Sequence, residues 1–147
     1  MIVRLLEESD LSSCMYIERS SFLSPWNEAQ LLYELKENPY AYLFVAEEGK
    51  HIIGMIDFWI TFDQGCINQI AVLPLLRNKG VGSALLEDAC LRMKRGGVKN
   101  VTLEVRTTNE TAIQFYQKHG FVTILTKEKY YDNGDDAYYM ERRLCHE

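Results

Sequence analysis

IAVLPLLRNKGVGSALLEDA, residues 70–89, is the stretch that decides the fold of this 147-residue chain. It begins as an apolar β-type run, passes Pro74 and the polar segment RNKG, and continues with apolar residues at helical spacing. A strand, a short loop and a helix are therefore predicted in that order. Gly80 and Gly82 stand at the predicted start of the helix, where the backbone N–H groups have no partner within the helix.

The start of this predicted helix has the features of an anion site. Glycines let a phosphate approach the first-turn N–H groups and the positive end of the helix dipole, and Arg77 and Lys79 add positive charge. Two nucleotide-binding motifs fit worse. A P-loop requires GK followed by Ser or Thr, which is absent, and a dinucleotide-binding fingerprint requires a third glycine where this chain has Leu85. A phosphate-bearing ligand is predicted, although an ordinary helix start with glycines for close packing would show the same pair.

Outward from this stretch, the rest of the chain alternates between strand-like and helix-like patterns. Upstream, Ser24 offers an N-cap with Pro25 at the first helical position, and Asn38-Pro39 ends that helix. The expected strands are residues 2–5, 42–47, 52–61, 66–72, 101–105, 121–131 and 137–144, and the expected helices lie within residues 8–22, 25–38, 80–95 and 110–119.

This order, βααβββαβαββ, predicts an α/β fold with a single mixed, mostly antiparallel sheet of about seven strands and four helices. The connection from strand 66–72 through the helix to strand 101–105 should be a right-handed parallel crossover. An open sheet of this kind tends to bind ligands beyond the carboxyl ends of its strands. No linker-like stretch or repeat interrupts the chain, so one domain over residues 1–147 is expected.

Composition narrows the class of protein. The chain is 47% hydrophobic and 25% charged with a net charge of −5, as in an ordinary soluble globule. Dispersed Lys and Arg disfavour a nucleic-acid partner. Acidic residues follow the first five residues of the chain, so the N-terminus lacks the pattern of a signal peptide. The apolar runs are too short to span a membrane, and a cytoplasmic location is therefore expected.

Cysteines and histidines show no metal-binding pattern. There is no CxxC pair and no ligand-like spacing of the histidines, so reduced thiols and no metal site are predicted. These residues are Cys14, Cys66, Cys90, Cys145, His51, His119 and His146.

The strand at residues 101–105 carries an unusual charge. Thr102, Glu104 and Arg106 share one face of it, opposite the apolar Leu103 and Val105. A carboxylate amid apolar residues is costly to bury, so Glu104 is either exposed, paired with a charge such as Arg106, or functional. The residues alone leave these alternatives open.

Asn109 and Tyr116 lie two turns apart on the helix that follows, so they face the same way. Tyr116 fits either an amphipathic core position or a proton donor, and its position alone does not choose between them.

A family resemblance now adds to these patterns. RNKGVG matches the (Q/R)xxGx(G/A) signature of the GNAT superfamily of N-acetyltransferases, and the element order resembles that of the family along nearly the whole chain. LEVRTTNETAIQFYQKHGF, residues 103–121, resembles the corresponding block of the bacterial ribosomal-protein-alanine N-acetyltransferases. Ser24-Pro25-Trp26 and Tyr130-Tyr131 also resemble substrate-side segments of that subfamily.

The resemblance implies roles for individual residues. Glu104 would be the general base, Tyr116 the general acid, and the backbone N–H of Val72 the donor that polarises the thioester of acetyl-CoA. Trp26, Tyr130 and Tyr131 would contact the acceptor. The implied cofactor-binding residues are Ile70, Ala71, Val72, Arg77, Asn78, Lys79, Gly80, Val81, Gly82, Ser83 and Asn109.

The expected activity is direct transfer of acetyl from acetyl-CoA to a primary amine, foremost the N-terminal α-amine of a protein such as a ribosomal protein. Cys66 and Cys90 would then be packing residues, since no covalent intermediate is needed. A small-molecule acceptor (a polyamine, an amino acid or an antibiotic) is the alternative within enzymes. A non-catalytic acyl-CoA sensor is the alternative outside them.

Overall fold

A mixed β-sheet organises residues 1–144, the part of the chain that the computed structural model describes. Its strands are β1 (Ile2–Leu5), β2 (Ala41–Glu48), β3 (His51–Thr61), β4 (Gln64–Val72), β5 (Asn100–Arg106), β6 (Val122–Lys127) and β7 (Ala137–Arg143). They lie in the order β1-β2-β3-β4-β5-β7-β6. Every neighbouring pair is antiparallel except β4 and β5, which are parallel.

Four α-helices cover this sheet: α1 (Leu11–Ser21), α2 (Glu28–Lys36), α3 (Val81–Arg95) and α4 (Glu110–Lys118). The helices α1 and α2 bury their apolar residues against one face of β2–β4. On the other face, α3 and α4 pack in a larger core that also takes residues from β5 and β7. The predicted element order is confirmed. The face of β5, β7 and β6 that is turned away from α3 and α4 packs against neither α1 nor α2 in these two cores. This uncovered face lies beside the carboxyl end of β4.

The start of α2 differs from the sequence-based expectation. Asn27, rather than Ser24, is the N-cap: its side chain accepts from the Gln30 N–H at 2.8 Å, and the Gln30 side chain accepts from the Asn27 N–H at 2.8 Å. This reciprocal capping box satisfies two otherwise unpaired donors, and Ser24 has no Glu or Gln three residues later with which to form one. Pro25 therefore lies in the loop before the helix.

The parallel pair β4–β5 is joined only at its amino end. Register partners are confined to Gln64–Asn100, Gly65–Val101 and Cys66–Thr102, so the two strands part beyond Cys66. On its other side β4 stays paired with β3 as far as Val72, with one extra residue, Asn68, between the partners of Asp57 and Phe58. Such a bulge bends a strand and increases its twist. The result is a V-shaped opening between the carboxyl ends of β4 and β5.

Two sequence-based expectations concern features outside this architecture. Among residues 1–144, no helix is long and apolar enough to cross a membrane. Cys14, Cys66 and Cys90 are free thiols, whereas Cys145 and His146 lie outside the described residues.

Candidate active site

The free edge of β4 forms one wall of the opening. The Leu73 N–H donates to the Ile53 carbonyl of β3 at 2.9 Å. Because successive residues of a strand turn their N–H and C=O groups to opposite edges, the backbone groups of Val72 and Ile70 point away from β3 and into the opening. Ile70 and Val72 are among the residues that the family resemblance implies bind the cofactor.

The start of α3 lies at the end of this edge. Its N-cap, Gly80, has φ +88° and offers no side-chain cap, whereas α2 and α4 are capped by Asn27 and Asn109. The first N–H bonded back to the cap region is that of Ala84, which donates to Gly80 O at 3.0 Å. The earlier N–H groups of the turn are therefore available to an anion.

Gly82 allows close approach at the same place. A Cβ at this position would lie 3.4 Å from the ring of Phe115 on α4, in van der Waals contact with it. The absence of a side chain thus keeps the space between the start of α3 and α4 open. Together with the parted strands and the uncapped helix, this cradle fits an extended phosphate-bearing molecule such as coenzyme A.

Two residues assigned to the cofactor have other contacts in the structure. Arg77 donates from Nε to the Val72 carbonyl at 3.0 Å and from its terminal nitrogen to Ser20 O and Ser21 Oγ, tying the end of β4 to α1. Asn109 caps α4, its Oδ1 accepting from the Ala112 N–H at 3.1 Å. Both side chains thus shape the walls of the cradle, and direct contact with the cofactor stays a prediction.

Glu104 faces the uncovered side of the sheet and is half-buried. Its Oε2 accepts from the Lys127 ammonium on β6 at 2.7 Å, and this hydrogen bond raises the pKa of Lys127. The sequence-based alternative of a charge pair is therefore confirmed, but the partner is Lys127 and the example given, Arg106, was wrong. Arg106 instead donates to Asp135 at 2.8 Å and to Asn133 at 3.0 Å, because both lie in the loop before β7, the strand that pairs with β5.

Aromatic rings surround this ion pair. Lys127 Nζ lies 4.6 Å from the ring centre of Tyr139 and 5.4 Å from that of Tyr130. Tyr131 packs edge-on against Tyr130, and the Arg106 guanidinium lies 3.9 Å from the Tyr131 ring centre. A carboxylate framed by ring faces is the arrangement that holds a cation or an ammonium group.

Trp26 belongs to the loop between α1 and α2 and is partly buried in the smaller core. Its backbone N–H donates to Oε1 of the fully buried Glu18 at 2.8 Å, and Gln69 Nε2 of β4 lies 3.4 Å from the same oxygen. The structure therefore fixes this loop to the bulged part of β4. Contact between Trp26 and an acceptor stays a prediction.

Tyr116 is buried on α4, its ring in edge contact with Phe115 and Phe121. Burial, reinforced by nearby Tyr131, raises the pKa of Tyr116 above its usual range. The phenol therefore stays neutral at physiological pH and keeps its proton for donation. The alternative of a core position is confirmed, since the ring is buried among Phe115 and Phe121, whereas the role of proton donor stays a prediction.

The thiols near the site are not activated. Burial, followed by the charge of Glu104, raises the pKa of Cys66 to about 11, and burial raises that of Cys90 to about 11. Nucleophilic cysteines need the opposite shift. This agrees with transfer that involves no acyl-cysteine.

Comparison with known proteins decides the family, because residues 11–121 match the family described as Acetyltransferase (GNAT) family. The chain belongs to the GNAT family of acetyltransferases. Members of this family use acetyl-CoA. The opening between β4 and β5 and the uncapped start of α3 are thus the parts of this GNAT protein that fit that cofactor.

Among its relatives, this GNAT chain is 37% identical over 139 residues to the "Putative [ribosomal protein bS18]-alanine N-acetyltransferase" of Bacillus subtilis, covering 94% of this chain and 92% of the relative. It is 33% identical over 141 residues to the "[Ribosomal protein bS18]-alanine N-acetyltransferase" of Escherichia coli K12, covering 92% of each. The crystal structure of the ribosomal-protein-S18-alanine N-acetyltransferase from Escherichia coli superposes with a TM-score of 0.90 at 26% identity, over 99% of this chain and 95% of that one.

Sequence reasoning missed several charged residues of this GNAT chain. Lys127 had no signal, because its pairing with Glu104 depends on how β6 and β7 fold onto β5. The buried carboxylates Asp57, Glu18 and Glu34 beneath the α1–α2 side were also missed. Asp57 had a signal of the same kind as Glu104, a carboxylate amid the apolar run MIDFW.

Proposed function

We propose that this GNAT protein transfers acetyl from acetyl-CoA to the N-terminal α-amine of a protein, a ribosomal protein being the foremost acceptor. The observation that carries the proposal is the position of Glu104: a carboxylate on the uncovered face of β5, across the opening from the free edge of β4. The resemblance to ribosomal-protein-alanine N-acetyltransferases over more than nine-tenths of the chain supports the acceptor class.

The surroundings of Glu104 favour an amine. The Lys127 ammonium already occupies a position 2.7 Å from the carboxylate, between Tyr130 and Tyr139. An incoming ammonium has the same charge and similar hydrogen-bond donors, so it can bind the same carboxylate and ring faces once Lys127 swings outward. The partly exposed Lys127 has room to do so.

The cost of freeing the nucleophile favours an α-amine over a lysine. With a pKa of ~7.8, about one-seventh of an α-amine is neutral at pH 7, whereas a lysine side chain with a pKa of ~10.4 is neutral in about one molecule in 2,500. Deprotonation thus costs about 1 kcal/mol for an N-terminus and about 5 kcal/mol for a lysine. A carboxylate such as Glu104 is an intrinsically weak base, so it removes the proton of an α-amine more readily than that of a lysine, directly or through a water.

Acetyl-CoA supplies the acetyl group as a thioester. We assign Glu104 to accept the proton of the amine, and the Val72 N–H to donate to the carbonyl oxygen as negative charge develops on it. A donor held in place by the β3–β4 pairing needs no reorganisation at that moment, which is the most effective form of such stabilisation. The N–H groups at the start of α3 would hold the pyrophosphate.

Tyr116 would serve the leaving sulfur. A thiol has an ordinary pKa of about 8.5 and a tyrosine of about 10, so complete proton transfer to the thiolate would be uphill by at least about 2 kcal/mol. Burial of Tyr116 increases this gap. We therefore assign it a hydrogen bond to the sulfur as charge develops, with the proton arriving fully only after the thiolate meets solvent.

The test is release of free thiol from acetyl-CoA with a matched set of acceptors. One peptide begins with a free alanine and contains no lysine. Its control has a blocked N-terminus and the same sequence except for one internal lysine. Spermidine and free lysine complete the set. We expect turnover on the free N-terminus alone, and mass spectrometry should place the acetyl group on the α-nitrogen.

Two outcomes would overturn the proposal. Turnover on spermidine or lysine but on neither peptide would assign a small-molecule acceptor. Tight binding of acetyl-CoA with no turnover on any amine would assign a sensor.

A further inference from the structure

A line of four polar side chains links the start of α3 to the end of α4 and to β7. Ser83 Oγ lies 2.9 Å from His119 Nε2, and His119 Nδ1 lies 2.5 Å from Glu87 Oε2. Glu87 in turn accepts from both terminal nitrogens of Arg142, at 3.0 and 3.3 Å. Ser83 and Glu87 are four residues apart on α3, so the imidazole spans one helical turn and meets one residue with each nitrogen.

The imidazole of His119 is held on all sides. Its side chain is only 10% exposed, and the Phe115 ring centre lies 4.9 Å away. Burial acts to raise the pKa of Glu87, but Arg142 and His119 together lower it, so Glu87 stays ionised and fixes the Nδ1 proton. The other titratable groups beside this site are Cys90 and Lys94 of α3 and Arg142 and Arg143 of β7.

Ser83 belongs to the uncapped first turn of α3, whose N–H groups the proposed function assigns to the pyrophosphate. Its hydroxyl has a single proton, so it can donate one hydrogen bond, either to His119 or to a phosphate oxygen. The neutral imidazole, with Nδ1–H directed at Glu87, has Nε2 as an acceptor that receives this hydrogen bond. The imidazolium donates from Nε2 to the Ser83 oxygen and so releases the hydroxyl proton towards the phosphate.

We propose that His119, oriented by Glu87, is a positioning residue that controls whether Ser83 donates a hydrogen bond to the pyrophosphate of coenzyme A. The inference rests on the proposed cofactor site. It makes cofactor affinity depend on the protonation of His119: binding favours the imidazolium, and the imidazolium favours binding.

The linkage sets the size of the effect. Where binding takes up one proton at His119, the dissociation constant of coenzyme A rises by at most about tenfold per pH unit as the pH increases. Phosphate groups of the ligand also titrate near pH ~6, so the decisive quantity is the difference between protein variants and not the slope of one protein.

The experiment measures coenzyme A binding by calorimetry between pH 5.5 and 8.5 in four proteins. Ser83→Ala lacks the hydroxyl and should bind more weakly than wild type at low pH, with the two affinities converging at high pH. His119→Gln places an amide NH2 group near the position of Nε2. This group donates to the Ser83 oxygen at every pH, so the variant should retain tight binding at pH 8. His51→Gln, an exposed histidine on β3, is the matched control and should follow wild type.

A second measurement needs no bound cofactor. The ¹⁵N shifts of the His119 imidazole in the free protein should show a proton on Nδ1 and none on Nε2 at pH 8, with a shift towards the imidazolium when coenzyme A is added. A proton on Nε2 in the neutral ring would overturn the inference. So would the same affinity difference between wild type and Ser83→Ala at every pH. Absence of coenzyme A binding at any pH would refute the proposed function instead.

Discussion

Asp57 on β3 is the residue whose replacement tests the structure most sharply. It is 0% exposed, and within the described residues neither carboxylate oxygen accepts a hydrogen bond. Burial, followed by the neighbouring Glu34, raises the pKa of Asp57 to about 9. The Asp57 carboxyl thus keeps its proton in the folded state at neutral pH and can donate it to the ionised Glu34.

This shift makes the folded state less favourable as the pH rises. An unfolded aspartate ionises near pH ~3.9, so the folded protein binds the extra proton between about pH 4 and pH 9. Across that window the free energy of unfolding loses about 1.4 kcal/mol per pH unit from this group, or about 4 kcal/mol between pH 4 and pH 7. The amide of Asp57→Asn is neutral at every pH and, like the protonated carboxyl, can donate to Glu34.

We therefore expect Asp57→Asn to stabilise the protein by an amount that grows with pH, up to about 4 kcal/mol at pH 7. The value is an upper limit because the carboxyl pair shares one proton, which spreads the cost over both groups. Urea unfolding of both proteins at pH 5, 7 and 8.5 gives the difference, and Asp132→Asn in the exposed loop before β7 is the matched control. A variant less stable than wild type at pH 7, or a difference that stays constant with pH, would refute the reasoning.

Three further predictions concern the reaction. Glu104→Gln should keep the fold and lower kcat by about 10²–10⁴-fold, and peptide turnover at wild-type rate would remove Glu104 as the base. Tyr116→Phe keeps the packed ring and loses one hydrogen bond to a developing charge, so kcat should fall about 10- to 100-fold with little change in the unfolding midpoint; an unchanged kcat would leave Tyr116 as a core residue only. Cys66→Ala and Cys90→Ala should each retain substantial turnover, and a large loss with the fold intact would contradict direct transfer.

The sequence by itself was sufficient for the order of the elements and for the position of the glycine-rich start of α3, and its motifs were sufficient for the family resemblance. The first two depend on local properties: apolar periodicity, the conformations of Gly and Pro, and the lack of a partner for the first N–H groups of a helix. Gly80 shows this directly, since its φ of +88° is the reason that glycine stands there. The observed element boundaries differ from the predicted ones by one to a few residues. At the start of α2 the reason is the capping box that Asn27 forms with Gln30.

Only the tertiary structure decided which charges meet. Glu104 pairs with Lys127, 23 residues away, and not with its neighbour Arg106, because the fold of β6 and β7 determines which side chains share its face. Ser83 and His119 lie 36 residues apart and meet where α3 and α4 pack together. Which charges pair depends on their distance in space. Sequence spacing predicts that distance only for residues of the same helix or strand.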